Sequence, residues 1–186
     1  IVEGQLIQEE AITQSIYESL RDAIAQYGYY HLLVCKMLRA TGLRVRELLR
    51  LQVRHYFLDG PDYWIMITRS KKRKSDTGYE RVFLPPSLGA EMRNYIKREP
   101  LQADSLVFPF RALAVERAFA KASKDIGYKV TPHMLRTLYI SFLLDHGVPV
   151  ALTARMVGHA SSRTTEEHYH KANPAKKKAI QERIPV

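Results

Sequence analysis

Glycine and proline breaks cut most of this 186-residue sequence into short stretches whose apolar residues recur with helical spacing. Ile12, Ile16 and Leu20 give one apolar face to a first helix, which we expect over about 8–27. Further helices are expected over about 30–40, 45–51, 86–98, 110–126, 132–147, 150–158, from 164 onwards and over 174–183. Two segments, 63–68 and 81–84, are rich in β-formers and read as a hairpin. The predicted class is therefore mainly α with a small antiparallel β-sheet (α+β).

Apolar runs in the sequence are too short for a membrane protein. None approaches the roughly 18 residues that a spanning helix needs, and we expect no secretory leader, because no apolar leader-like stretch lies near residue 1. The one cysteine, Cys35, follows an apolar stretch and cannot form an internal disulfide. We therefore expect a reducing, intracellular setting.

The charge balance favours a polyanionic partner. Lys and Arg number 29 against 19 Asp and Glu, which gives a net charge of +10. The positive charges fall in three clusters, over 39–54, 69–74 and 176–178. Several clusters in one small domain suggest a continuous positive face for nucleic acid, although a merely basic, soluble surface is the alternative.

Arg44 follows a helix break at Thr41-Gly42, and Glu47 comes three residues later. An arginine directly after a break can project into a cleft, and a carboxylate at this spacing can hold its guanidinium. An ordinary surface ion pair would show the same pattern. The pair is a candidate anion site whose role depends on its neighbours.

His133 and Arg136 lie just after the helix start predicted at Thr131-Pro132. Their spacing puts them on one helix face, and the N–H groups of a first helical turn favour an anion. Together they are a candidate phosphate-binding face. A solvated histidine and arginine on a basic helix would give the same pattern.

His159 and Tyr169 are candidate site residues mainly because of their order in the chain relative to the other motifs. Gly158-His159 alone is a weak signal, and any one of the 11 tyrosines is more often a packed side chain. The series of motifs, however, resembles that of the tyrosine recombinase (phage integrase) catalytic domain. It runs Thr41-Gly42-Leu43-Arg44, Glu47, a hairpin lysine, His133-Met134-Leu135-Arg136, Gly158-His159 and Tyr169.

The resemblance covers nearly the whole chain and implies the tyrosine recombinase catalytic-domain fold over 1–172, with a C-terminal helix or tail over 173–186. It also implies cleavage and rejoining of DNA strands without metal or other cofactor. Position by position, it assigns catalysis to six residues, with Glu47 in support: Arg44, Lys71, His133, Arg136, His159 and Tyr169.

The resemblance also implies what each residue does. Arg44 and Arg136 would neutralise the non-bridging oxygens of the scissile phosphate, a task that suits bidentate donors whose charge does not titrate away. Tyr169 would attack to give a 3′-phosphotyrosyl link and a free 5′-hydroxyl. We expect His133 to accept a proton and His159 to donate a hydrogen bond to the phosphate, but these two roles could be exchanged.

The resemblance also implies that a lysine of the hairpin is the general acid. Lys71 lies near the end of the first predicted strand, where the family has its lysine, but Lys72 or Lys74 could serve instead. His168 stands where a member with a shorter gap would have its tyrosine, and histidine cannot do that chemistry. Basic residues near the break and in the hairpin are expected to bind DNA: Arg46, Arg69, Lys72, Arg73 and Lys74.

Metal-dependent chemistry is the competing explanation for seven histidines. His159, His168 and His170 do not follow a usual zinc spacing, and the sequence has no paired-carboxylate pattern typical of a two-metal nuclease. We therefore expect no metal site.

The expected partner is double-stranded DNA rather than a small molecule or a membrane. In relatives the C-terminal helix docks on a neighbouring protomer, so the resemblance implies a homo-oligomer, dimer to tetramer, assembled on DNA. The alternative is that this segment packs on its own domain. We also expect an N-terminal core-binding domain that is absent from this chain, and a cytoplasmic, nucleoid-associated location in a bacterial, archaeal or phage setting.

Two other functions stay open from the sequence. A topoisomerase-like nicking-closing enzyme shares much of the residue set, and a DNA-binding module could have lost catalysis. The target DNA sequence and the biological process, whether integration, transposition or chromosome-dimer resolution, are not readable without base contacts.

Overall fold

The computed structural model describes residues 12–68, 79–157 and 174–186. These ranges contain eight α-helices: α1 Gln14–Ala25, α2 Tyr29–Thr41, α3 Val45–Leu49, α4 Pro86–Arg98, α5 Ala112–Ile126, α6 Pro132–Asp145, α7 Val150–Met156 and α8 Pro174–Gln181. They also contain one 3-10 turn, Val53–His55, and three strands: β1 Tyr56–Phe57, β2 Trp64–Thr68 and β3 Tyr79–Phe83. The predicted class, mainly α with a small antiparallel sheet, is confirmed.

The three strands form an antiparallel sheet in the order β1-β2-β3. Ile65 and Val82 pair across β2 and β3 and are both buried, so they form the inner face. On the outer face Trp64 stacks on Phe57, with ring centroids 3.8 Å apart. Sequence reasoning missed β1, because a two-residue strand has no alternation to detect and forms only by pairing with β2.

The main core lies where α1, α2, α5 and α6 pack together. Leu20, Leu33, Phe119 and Leu135 supply one fully buried side chain from each helix, and each contributes about 1.5–3 kcal/mol by leaving water. Cys35 is buried in the same core, and burial raises the pKa of its thiol to about 12. The helices thereby form the rigid support for the loops between them.

Two helices end where a glycine was predicted to stop them. Gly42 ends α2 with φ +64°, and Gly127 ends α5 with φ +68°. Both angles lie in the left-handed region, which glycine adopts without steric cost. The first helix begins at Gln14, because the Thr13 hydroxyl accepts a hydrogen bond from the N–H of Ile16. The earlier part of that predicted helix, 8–11, lies outside the described residues.

The C-terminal segment packs on its own domain, along the edge of β3 that β2 leaves open. Lys177 Nζ lies 2.9 Å from Glu80 Oε1 and donates to the carbonyl of Arg81 at 3.1 Å. Further along, Ile184 is buried in a small cluster with Tyr139. This packing is one of the two alternatives left open by the sequence, and docking on a neighbouring protomer stays a prediction.

Candidate active site

The turn between α2 and α3 carries Arg44 to the surface. Arg44 has an extended backbone directly before α3, and its side chain is 52% exposed. Glu47 holds it twice: one carboxylate oxygen accepts from the Arg44 backbone N–H at 2.8 Å, and the other lies 3.3 Å from Nη1. The same carboxylate therefore caps the helix and orients the guanidinium.

Arg136, in contrast to the exposed Arg44, is buried and held by main-chain carbonyls. It lies in α6 and is only 1% exposed. Its Nη1 donates to the carbonyl of Gly42 at 2.8 Å, and its Nη2 donates to the carbonyl of Val157. A buried charge needs such partners to offset desolvation. These bonds link α6 to the turn before Arg44 and to the end of α7.

Arg44, His133 and Arg136 line one cavity of about 830 Å³. His133 is exposed in the first turn of α6, one helical turn before Arg136. Residues from distant parts of the chain therefore meet at one pocket, as the sequence motifs require. The catalytic roles of these residues stay predictions.

The cavity wall is largely apolar, and its charged side chains are predominantly cationic. Besides the two arginines, its described lining includes Arg46, Lys124 and Lys129, against one carboxylate, that of Glu116. Such a concentration of one sign of charge attracts anions. Arg46 was expected from the sequence to bind DNA, and it lies on this wall.

Lys124 and Lys129 were missed by the sequence reasoning. Lys124 lies in the last turn of α5, and Gly127 turns the chain between α5 and α6 so that Lys129 reaches the same cavity. The available signal was a pair of lysines flanking a helix-stop glycine just before the Thr131-Pro132 helix start. They are single residues rather than a charge run, so they did not stand out.

The remaining predicted site residues lie outside the described residues. These are Arg69, Lys71, Lys72, Arg73, Lys74, His159 and Tyr169. Two described residues border these segments in the chain: β2 ends at Thr68, and Val157, which binds Arg136, directly precedes Gly158.

The described part of the chain shows neither a metal site nor a membrane-spanning helix. Residues 12–68, 79–157 and 174–186 contain no group of three or more His, Cys, Asp or Glu side chains placed to hold a metal ion. None of the helices in these ranges combines the length and apolar character that crossing a membrane requires.

Comparisons with known proteins agree on one family. Residues 10–176 match the phage integrase family model. Tyrosine recombinase XerA of Pyrococcus furiosus is 26% identical over 165 residues, which cover 84% of this chain and 56% of XerA. The chain spans about half the length of the curated relatives it matches.

Two solved structures share the fold. The XerH site-specific recombinase bound to difH substrate in a pre-cleavage complex has a TM-score of 0.65 and 18% identity, covering 90% of this chain and 51% of XerH. A lambda integrase dimer bound to a COC′ core site has a TM-score of 0.59 and 20% identity, covering 85% of this chain and 47% of that protein. With the family model matching most of its length, the chain belongs to the phage integrase family and has the tyrosine recombinase catalytic-domain fold.

Proposed function

We propose that the protein is a site-specific DNA recombinase that cleaves and rejoins DNA through a 3′-phosphotyrosyl intermediate, without a metal. The observation that carries this proposal is the meeting of Arg44, His133 and Arg136 at one cationic cavity. The transition state of phosphoryl transfer places extra charge on the non-bridging oxygens. Two guanidinium groups supply bidentate donors of fixed charge for these oxygens.

In the proposed reaction, the Tyr169 hydroxyl attacks the scissile phosphorus, and the bond from phosphorus to the 5′-oxygen breaks. A free phenol has a pKa near 10 and is mostly protonated at neutral pH, so a base has to take its proton. We assign that role to His133. Lys71 gives a proton to the leaving 5′-oxygen. His159 donates a hydrogen bond to the phosphate, and a second 5′-hydroxyl reverses the step to join a new strand.

We propose that DNA crosses the cavity mouth and continues along the cationic wall. Arg46, Lys124 and Lys129 would each neutralise a backbone phosphate, and the basic residues over 69–74 would add further phosphate contacts. Lys129→Ala should weaken binding to all DNA sequences and reduce the salt dependence by about one counterion. Glu116→Ala, which removes the opposing charge from the same wall, is the control and should not reduce it.

We propose further that the active form is a dimer to tetramer on DNA, in which the C-terminal helix of one protomer stays packed on its own β3 and docks on the next protomer through its exposed face. The DNA-bound dimer of the lambda integrase relative supports assembly on DNA. In this view an upstream core-binding domain completes a clamp around the duplex, and the protein acts on nucleoid DNA in the cytoplasm. Analytical ultracentrifugation of the wild-type chain and of Ala179→Glu, which changes the exposed face of α8 and keeps its bonds to β3, each mixed with duplex DNA, tests the role of that helix.

A nicked suicide duplex tests the chemistry. The nick lets the short strand beyond the cleavage point diffuse away, so a covalent protein–DNA adduct accumulates. Because the target sequence is unknown, the probe is a library of nicked duplexes with randomised sequence, in low salt with EDTA. We expect an adduct with the wild-type chain and none with Tyr169→Phe. Tyr128→Phe, which changes another phenol of the cavity wall, is the matched control and should retain the adduct.

The alternative functions predict other outcomes. DNA binding without any adduct would overturn the enzyme proposal and favour a binding module. An adduct that relaxes supercoiled DNA but never exchanges strands between two duplexes would favour a topoisomerase-like enzyme. Sequencing the trapped DNA would then define the target site.

A further inference from the structure

One buried side-chain amide joins the C-terminal helix to the body of the domain. Gln181, in the last turn of α8, is 0% exposed. Its Oε1 accepts from the backbone N–H of Phe83 in β3 at 3.1 Å, and its Nε2 donates to the hydroxyl of Tyr139 in α6 at 3.2 Å. A buried amide is costly unless it is hydrogen-bonded, so these two bonds fix the Gln181 side chain in one orientation.

The second partner, Tyr139, lies directly against the turn that precedes Arg44. Its ring is 1% exposed and follows Arg136 by one helical turn. A Cβ atom added to Gly42 would come within 2.3 Å of this ring, so the ring and the Gly42 backbone are in direct contact. Any tilt of the ring therefore displaces the turn or opens a gap beside it.

Gly42 is the point on which both arginines depend. Its carbonyl accepts the 2.8 Å hydrogen bond from Arg136 Nη1, and the chain reaches Arg44 two residues later. The orientation of this one peptide therefore fixes the carbonyl that accepts from Arg136 and the direction in which the backbone continues to Arg44. A continuous series of contacts leads from Gln181 through Tyr139 and Gly42 to the guanidinium of Arg136, and the backbone leads from Gly42 to Arg44.

We propose that Gln181 is a positioning residue for Arg44 and Arg136: its bond to Tyr139 holds the ring against Gly42 and thereby fixes the turn that aligns both arginines. Gln181 itself is separated from the cavity by the Tyr139 ring and has no contact with substrate in this scheme. Its effect on DNA cleavage rests on the proposed function, whereas its effect on the turn does not. The two effects are therefore measured separately.

Lys177 provides a matched control on the same helix. It also fastens α8 to β3, but its hydrogen bonds go to Glu80 and to the carbonyl of Arg81. Lys177→Met therefore loosens the helix without removing the bond to Tyr139. Gln181→Met and Tyr139→Phe each remove that bond, and the second retains an aromatic ring that is no longer anchored by Gln181.

The first measurement is hydrogen exchange of the full chain without DNA. The amides of Gly42 and Leu48, bonded to the carbonyls of Leu38 and Arg44, report on the turn and on α3. Gln181→Met and Tyr139→Phe should each speed exchange at these amides by about tenfold, and Lys177→Met should leave them unchanged. Unchanged exchange in Gln181→Met, or an equal increase in Lys177→Met, would overturn the positioning role.

The second measurement is the single-turnover rate of adduct formation on the nicked duplex, at saturating protein. A small misplacement of catalytic groups lowers such a rate by roughly tenfold to a hundredfold. Gln181→Met and Tyr139→Phe should both do so at unchanged DNA affinity, and the double variant should be no slower than the slower single variant. Additive losses, or a loss matched by Lys177→Met at equal Tm, would overturn the effect on cleavage.

A wild-type chain that forms no adduct would refute the proposed function, and the exchange result would still decide whether Gln181 fixes the turn.

Discussion

Arg44 and Arg136 line the same cavity, but the protein supports them by different means. Arg44 is half exposed and paired with the Glu47 carboxylate, whereas Arg136 is buried and bonded to the carbonyls of Gly42 and Val157. An exposed ion pair contributes little to stability. A buried guanidinium whose removal leaves main-chain carbonyls unsatisfied contributes much more. The fold therefore depends on Arg136, and Arg44 can be changed at little structural cost.

The largest effect is expected for Arg136→Met. It should lower the free energy of unfolding by about 3 kcal/mol, because two buried carbonyls lose a charged donor, and it should abolish adduct formation. Urea denaturation measures the first effect and the nicked duplex the second. Arg46→Met, at an exposed arginine of the same cavity, is the control and should change stability by less than about 0.5 kcal/mol. Equal stability of the two variants would contradict the claim that the fold depends on the buried arginine more than on the exposed one.

The next effect is expected for Arg44→Lys and should fall on chemistry alone. Adduct formation should slow by about 10²–10³-fold, because an ammonium cannot reproduce the fork of a guanidinium on phosphate oxygens. The free energy of unfolding should change by less than about 0.5 kcal/mol. Near-normal adduct formation by Arg44→Lys would contradict the role assigned to this side chain.

A smaller effect is expected for Glu47→Gln. The amide oxygen can still accept from the Arg44 backbone N–H, but the charge that holds the guanidinium is lost. Adduct formation should slow by roughly tenfold through looser orientation of Arg44, and stability should fall by less than about 1 kcal/mol. Single-turnover rates and urea denaturation give the two values. A stability loss as large as that of Arg136→Met would show that the two sites are supported alike.

The smallest effect is a pH dependence that both arginine variants should share. Burial, together with the nearby charge of Arg54, lowers the pKa of His55 from its usual 6.5. The imidazole is therefore protonated more readily in the unfolded chain than in the native state. Its contribution to stability is complete above the unfolded-state pKa near 6.5, and it is lost as the pH falls from there through the lower native-state pKa. Arginine stays charged over this range, so the stability gap between Arg136→Met and Arg44→Lys should not change with pH.

The check is urea denaturation of both variants from pH 5 to 8, with and without His55→Asn. The asparagine amide can keep an acceptor for the Gln52 N–H, which His55 Nδ1 binds at 2.9 Å, but it does not titrate. This change should flatten the acid side of both curves equally. A gap that widens with pH would mean that a titrating group acts on one arginine alone.

The same contrast separates what the sequence could predict from what it could not. The support of Arg44 by Glu47 was predictable, because residues three apart on a helix are neighbours. The carbonyl partners of Arg136 were not, since Gly42 is distant in the chain and its approach depends on packing of α2 against α6. Helix stops at Gly42 and Gly127 followed from local backbone preference.

Longer-range features of the site needed the folded structure. Lys124 at the end of α5 and Lys129 in the turn after it reach the cavity because α5 packs beside α3 and α6. The packing of α8 depends on the open edge of β3, which is far from α8 in the sequence, so no local pattern predicts it. Local rules therefore predicted the elements and several motif residues, and the assembly of the wall required packing information.

The position of α8 along β3 has a practical consequence for shortened versions of the protein. A chain that stopped before residue 174 would leave the outward N–H of Phe83 and carbonyl of Arg81 without the partners that Gln181 and Lys177 provide. Exposed strand edges of this kind template aggregation between molecules. The terminal helix thus protects solubility whatever part it plays on DNA, and truncations designed to probe assembly need to retain a cover for that strand.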